Sequence, residues 1–130
     1  MVVVDSSAIL DLLLGNRTAP ALRTRFLQEE KLQAPHLIDL EVLQVLRRHA
    51  RFGDLDVARA RTAIEHHHRL PIERHPHEPF IALIWQLRNN FTSYDAMYVA
   101  LGIALEATLI TADGPLARAA APFLPVEVFA

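Results

Sequence analysis

The sequence predicts an α/β domain built on a parallel β-sheet. Short apolar runs alternate with helix-patterned segments along the whole chain, and the first run, Val2-Val3-Val4, has no polar alternation. Pro and Gly are scattered as punctuation rather than gathered in a linker, and no repeat occurs. Alternating strands and helices are the pattern of a parallel sheet with helices on its faces, and an unbroken apolar strand is one buried on both sides.

Val2–Val4 is therefore the first strand. Ser6 to Leu14 follows as a helix and stops at Gly15-Asn16. Ala19 to Gln28 reads as a second helix, and Leu32 to Ala34 as a short strand before Pro35. Leu37 to Arg51 is a well-patterned helix ending at Gly53. Asp54 is placed to cap a helix from Leu55 to His68. Leu70 to Arg74 reads as a strand, and Glu78 to Asn89 as a helix closed by Asn89-Asn90. Thr92 caps the very apolar helix Ser93 to Leu105. Thr108 to Thr111 is a strand, Pro115 to Ala121 a short helix, and Val126 to Phe129 the last strand.

The 130 residues, 52% of them hydrophobic, suggest one domain spanning 1–130 with a substantial core. Without cysteine there are no disulfides, which allows a reducing compartment. Met1-Val2-Val3-Val4-Asp5 lacks the basic start of a signal peptide, and the apolar stretch Ala96 to Leu105 is far short of the roughly 20 residues that span a bilayer. A soluble, cytoplasmic protein is expected. The net charge of −2 argues against a nucleic-acid binder. If four carboxylates are taken up by cations, however, the balance turns positive. Lys31 is the only lysine, and the remaining basic residues are Arg, whose planar fork suits phosphate. Genomic codon bias accounts for that preference as well.

Ligands of open parallel sheets bind beyond the carboxyl ends of the strands. Asp5 directly follows the first strand, and Asp113 lies two residues past Thr108–Thr111. Each is also well placed as a helix N-cap. Asp95 fits a capping box Thr92-Ser93-Tyr94-Asp95, yet it is the only charge from Tyr94 to Leu105 in an otherwise apolar helix. A carboxylate half-buried there calls for a cation. Glu41 shares a polar stripe with Gln44 and Arg48, and its neighbour Asp39 is an equal rival by pattern. Carboxylates gathered at one sheet edge repel one another. Hard Mg²⁺ or Mn²⁺ is the natural counterpart, and two such ions can activate water and hold both oxygens of a phosphoryl displacement.

At these residues the chain resembles the PIN domains, and among them the VapC-type toxins of VapBC toxin–antitoxin systems. The matching segments are VVVDSSAIL at 2–10, LIDLEVLQVLRR at 37–48, FTSYDAMYVALGIAL at 91–105 and LITADGPLARAA at 109–120, in the family's order. The resemblance implies a Rossmann-like sheet of four or five strands and an acidic quartet of Asp5, Glu41, Asp95 and Asp113, choosing Glu41 over Asp39. It implies Ser7, with Ser6 beside it, as the small hydroxyl residue orienting Asp5 or a water, and Thr111 as a supporting residue. It further implies Mg²⁺- or Mn²⁺-dependent RNA cleavage, a toxin role, a cognate VapB-type antitoxin and a homodimer.

Other features carry less. His66-His67-His68 on a helix point about 100° apart and do not converge on one ion. His75 and His77, flanking Pro76, are expected in a loop. Arg47, Arg48, Arg51, Arg59 and Arg61 fit either an RNA groove or solvated helix faces; Arg48 is the phosphate candidate because it shares the stripe of Glu41. Trp85 and Leu87 are expected in the core or a dimer interface. Against an endoribonuclease stands a non-catalytic module of the same fold that binds antitoxin or RNA. A phosphoryl-accepting protein is disfavoured because Ser7 stands where a DxD phosphatase has its second acid, and no GxxxxGK[ST] loop is present.

Overall fold

The computed structural model describes all residues, 1–130. Five parallel strands form one sheet: β1 (Val2–Val4), β2 (Leu32–Pro35), β3 (Ile72–His75), β4 (Thr108–Thr111) and β5 (Val126–Val128), in the order β3-β2-β1-β4-β5. β1 pairs with β2 through Val3 and Gln33 and with β4 through Val3 and Leu109. The chain builds β1, β2 and β3 outward in one direction, then crosses back to lay β4 and β5 on the other side. The reversal falls between β1 and β4.

Seven α-helices connect these strands: α1 (Ser6–Leu14), α2 (Ala19–Phe26), α3 (Leu37–Phe52), α4 (Val57–Arg69), α5 (Ile81–Gln86), α6 (Ser93–Leu105) and α7 (Gly114–Ala120). Val2, Val3 and Val4 are each almost wholly buried. Because successive strand side chains point to opposite faces, β1 is covered on both sides. α6 lies against β1, β2 and β4, and its run from Ala96 to Gly102 is buried throughout. Gly102 permits its close approach to the chain after α7: a Cβ there would run into a methyl of Leu124.

Several local expectations differ from the structure. α2 ends at Phe26 rather than Gln28, after which the chain turns with Glu29 N–H donating to the Phe26 carbonyl. α4 begins at Val57 with Asp56 as its cap, accepting from the Arg59 N–H; Asp54 is drawn aside to His49 Nδ1 at 2.9 Å. The segment 78–89 is not one helix. A 3₁₀ turn at Glu78–Phe80, containing Pro79, precedes the short α5, and turns carry the chain on to Asn90. Leu87 is buried in the core, whereas Trp85 is 67% exposed, which leaves the dimer interface as the alternative of that expectation. His75 sits in β3, 2.6 Å from Gln33, rather than in a loop.

Candidate active site

The reversal between β1 and β4 opens a crevice beyond the strand ends, and both neighbouring strands deliver a carboxylate there. Asp5 leaves β1 and caps α1, accepting from the Ala8 N–H at 3.3 Å. Asp113 follows β4 and caps α7, accepting from the Leu116 N–H at 3.1 Å. Cap and site are thus not alternatives for these two residues. Each cap uses one carboxylate oxygen and fixes the side chain at the crevice.

Two hydroxyls bind Asp5 to the end of β4. Ser7 Oγ donates to Asp5 Oδ1 at 2.7 Å and Thr111 Oγ1 to Oδ2 at 3.0 Å. Each hydroxyl then accepts from the turn carrying Asp113: Ser7 from Ala112 N–H at 2.9 Å, Thr111 from Asp113 N–H at 3.0 Å. The spacing between Asp5 and Asp113 is therefore set by a closed set of hydrogen bonds. Thr111→Val keeps the shape and removes both bonds. It is expected to cost about 1–3 kcal/mol of stability and, if Asp5 holds metal, about 10- to 100-fold in activity. Denaturant titration and initial rates check the two effects separately.

The other two acids come from helices. Asp95 opens α6, and only half of the expected capping box forms: its N–H donates to Thr92 Oγ1 at 3.2 Å, while its carboxylate accepts no bond from the protein. Glu41, in the second turn of α3, accepts from the Tyr98 hydroxyl at 2.6 Å. Tyr98 is almost fully buried in α6, and burial together with the Glu41 charge pushes its phenol far above its ordinary value. It remains a donor. Sequence reasoning missed this residue, although a tyrosine in an aliphatic helix signals a partner for its hydroxyl.

Asp39 points elsewhere. Both its oxygens face Arg74 of β3, at 2.8 and 2.9 Å, and Oδ1 lies 2.7 Å from Nε2 of the buried His67 in α4. Asp39 is a tie between α3, α4 and β3, and Glu41 alone of the pair joins the crevice. His66 and His68 are exposed while His67 is buried, so the three histidines diverge.

The electrostatics close the cluster. Asp5 is only 5% exposed. Burial raises its pKa to about 6 from 3.8 against the three hydrogen bonds, and the Asp113 charge adds to the rise. Burial, then the Asp113 charge, pushes Asp95 upward. Burial pushes Glu41 upward too; the Tyr98 hydroxyl opposes this and the Asp95 charge reinforces it. The couplings run Glu41 to Asp95 to Asp113 to Asp5, so all four carboxylates share one field. No cation of the protein answers them: the ion pairs fall on Glu29, Asp39, Asp54 and Glu127.

Divalent metal suits this donor set. The groups are hard carboxylate oxygens, those of Asp5 and Glu41 backed by hydroxyls, and burial with neighbouring negative charge raises Asp5, Glu41 and Asp95 above their ordinary range. No three of them converge on one point as a finished cage. Mg²⁺ does not need one, since it is usually held by one or two carboxylates with water and phosphate oxygens completing its shell.

Fold and crevice define an α/β protein with an uncompensated acidic cluster at the switch point of a parallel sheet. Residues 2–122 match the PIN domain family model. The chain is 42% identical over 127 residues to Ribonuclease VapC1 of Mycobacterium tuberculosis, covering 97% of this chain and 94% of that protein. It is 39% identical over 128 residues to Ribonuclease VapC9 of the same organism, covering 98% of each. Among solved structures, PAE2754 from Pyrobaculum aerophilum superposes with a TM-score of 0.74 at 23% identity, covering 98% of this chain and 83% of that one, a likeness of fold. The chain belongs to the PIN domain family and is a relative of the VapC ribonucleases.

Proposed function

We propose that this protein is a divalent-metal-dependent endoribonuclease, the toxin of a VapBC-type pair. The observation that carries the reading is the coupling of four carboxylates from four distant segments around one crevice, with no protein cation among them. Its relatives by sequence are named ribonucleases. Asp5, Glu41, Asp95 and Asp113 would hold Mg²⁺ or Mn²⁺. Bound there, the metal would lower the pKa of water and offset charge on the phosphodiester.

The chain's own residues supply position. Ser7 and Thr111 keep both oxygens of Asp5 aimed at the crevice. Tyr98 fixes one oxygen of Glu41, and the Ser6 hydroxyl lies against the same carboxylate. Asp95, bonded to nothing else, keeps its whole carboxylate available. Arg48, two turns beyond Glu41 on the exposed side of α3, is placed to meet a phosphate of the bound strand. A VapB-type antitoxin and a second copy of the chain are the partners this reading carries, and the cytoplasm is its compartment.

Purified protein is expected to cut a total-RNA pool into discrete fragments with Mn²⁺ or Mg²⁺ and to fall silent with EDTA. Folded, antitoxin-free protein that leaves RNA intact under every metal would instead support a non-catalytic module that binds antitoxin or RNA.

A further inference from the structure

The turn that delivers Asp113 also brings a cation to its side. Asp113 is followed by Gly114, the first residue of α7, and the exposed Arg118 lies one turn further along the helix. Long helical side chains lie back over the preceding turn. Arg118 does so: a Cβ on Gly114 would stand only 3.3 Å from its Nη1, closer than ordinary contact. The bare backbone of Gly114 is therefore what lets the guanidinium lie down next to Asp113. Within the chain this guanidinium has no partner. The ion pairs of arginine fall on Arg25 and Arg74, and its side-chain hydrogen bonds on Arg25, Arg59, Arg74 and Arg88. Asp113 does not claim it either, and spends Oδ1 on the Leu116 N–H. A cation in the last turn of a helix ordinarily serves the carbonyl end, where the dipole favours it. Arg118 reaches back to the amino end instead, where the dipole works against it.

We propose that Arg118 is a phosphate-binding residue of the nuclease, whose planar fork meets a phosphodiester of the RNA strand lying across Asp113. The inference rests on the ribonuclease reading and adds a grip on the strand. Four carboxylates repel a polyanion, so a strand needs a positive contact at the edge of the crevice. A guanidinium suits that task because it binds two phosphate oxygens at once and keeps its charge at every working pH. Arg118 is free to serve, since it breaks no ion pair and no hydrogen bond of the fold when it turns to an anion. Its neighbourhood also explains Gly114: a side chain there would press on the fork that the strand must reach.

The test uses full-length Asp5→Asn protein, to prevent cleavage, and a fluorescein-labelled single-stranded RNA at fixed Mg²⁺. Affinity is read by anisotropy over a series of KCl concentrations. Arg118→Ala in this background is expected to weaken binding about 10- to 100-fold, the range of a hydrogen-bonded charge, and to flatten the slope of log affinity against log salt by about 0.7, one phosphate contact on a single strand. Arg118→Lys should restore the slope and only part of the affinity, because an ammonium keeps the charge without the fork. Gly114→Ala, which leaves the charge in place, should lose affinity in the same direction and by less. RNA that binds Arg118→Ala with unchanged affinity and slope would overturn the contact and leave the nuclease reading standing. A loss that Arg118→Lys does not relieve, accompanied by a lower urea midpoint, would assign Arg118 to the stability of α7 and overturn it too. If RNA binds none of these proteins and the wild type cleaves none with metal, the ribonuclease reading falls and the contact with it.

Discussion

Asp5→Asn is expected to abolish RNA cleavage and at the same time to stabilise the metal-free protein at pH 7. The loss of activity should exceed 100-fold, since even an outer hydrogen-bond partner of a metal ligand is worth about 10- to 100-fold. The gain in stability follows from the position of the charge. Asp5 is buried, and its pKa is raised from 3.8 to about 6. A carboxyl whose folded value lies above the unfolded one favours folding only while protonated. That contribution is complete below about pH 3.8 and is lost as pH rises through about 6. The difference corresponds to about 3 kcal/mol, as each pKa unit is worth 1.36 kcal/mol. Asparagine keeps a carbonyl for the Ala8 N–H but repositions the hydroxyl bonds, so a gain of about 1–3 kcal/mol is expected.

Thermal unfolding in EDTA from pH 4 to 7 checks this directly. The wild type should lose stability across that interval relative to Asp5→Asn, and Mn²⁺ should stabilise the wild type far more than the variant. Burial raises Glu41 and Asp95 in the same sense, whereas Asp39 and Asp54 are lowered and act oppositely. The comparison of the two proteins, rather than either curve alone, isolates Asp5. An asparagine variant less stable than the wild type at pH 7 without metal would mean that hydrogen bonding outweighs burial at this carboxylate.

Much of this was legible in the sequence where local chemistry decides. α1, α6 and β4 have the boundaries the residues predict because their ends carry their own signals: Asp5 and Thr92 as caps, and Gly15 in a left-handed conformation closing α1. Asp5 and Asp113 could be placed at the ligand edge because strand ends and topology determine it. The failures lie where distant residues decide. Asp54 and Asp56 are equally good caps by type, and the choice depends on His49 reaching Asp54. Trp85 reads as core or dimer interface by residue type, and which one it joins depends on the short α5, flanked by turns, that places Trp85 outward and Leu87 inward. The helical wheel of α3 cannot separate Asp39 from Glu41, because their roles come from Arg74, His67 and Tyr98 on three other elements.

Those two acids, two residues apart on one helix, should therefore respond in opposite ways to mutation. Asp39 is held below the ordinary carboxylate range: burial works against its charge, but the hydrogen bonds from Arg74 and His67 outweigh it. Asp39→Ala leaves the Arg74 fork and the buried His67 without their acceptor, and His67 Nδ1 already has no partner. Stranding such groups costs about 1–3 kcal/mol each when buried. Because the Asp39 side chain is 36% exposed and water can reach it, the expected loss is about 2–3 kcal/mol in total, read as a lower urea midpoint. Glu41→Gln retains an acceptor for the Tyr98 hydroxyl and removes a charge that Asp95 repels. Its urea midpoint should stay within about 1 kcal/mol of the wild type, while RNA cleavage falls more than about 10-fold. A destabilised Glu41→Gln beside an unaffected Asp39→Ala would exchange the two roles, making Glu41 the structural tie and releasing Asp39 for the crevice. The hydrogen bonds across α3, α4, α6 and β3 predict the opposite, because only Glu41 shares its field with Asp95.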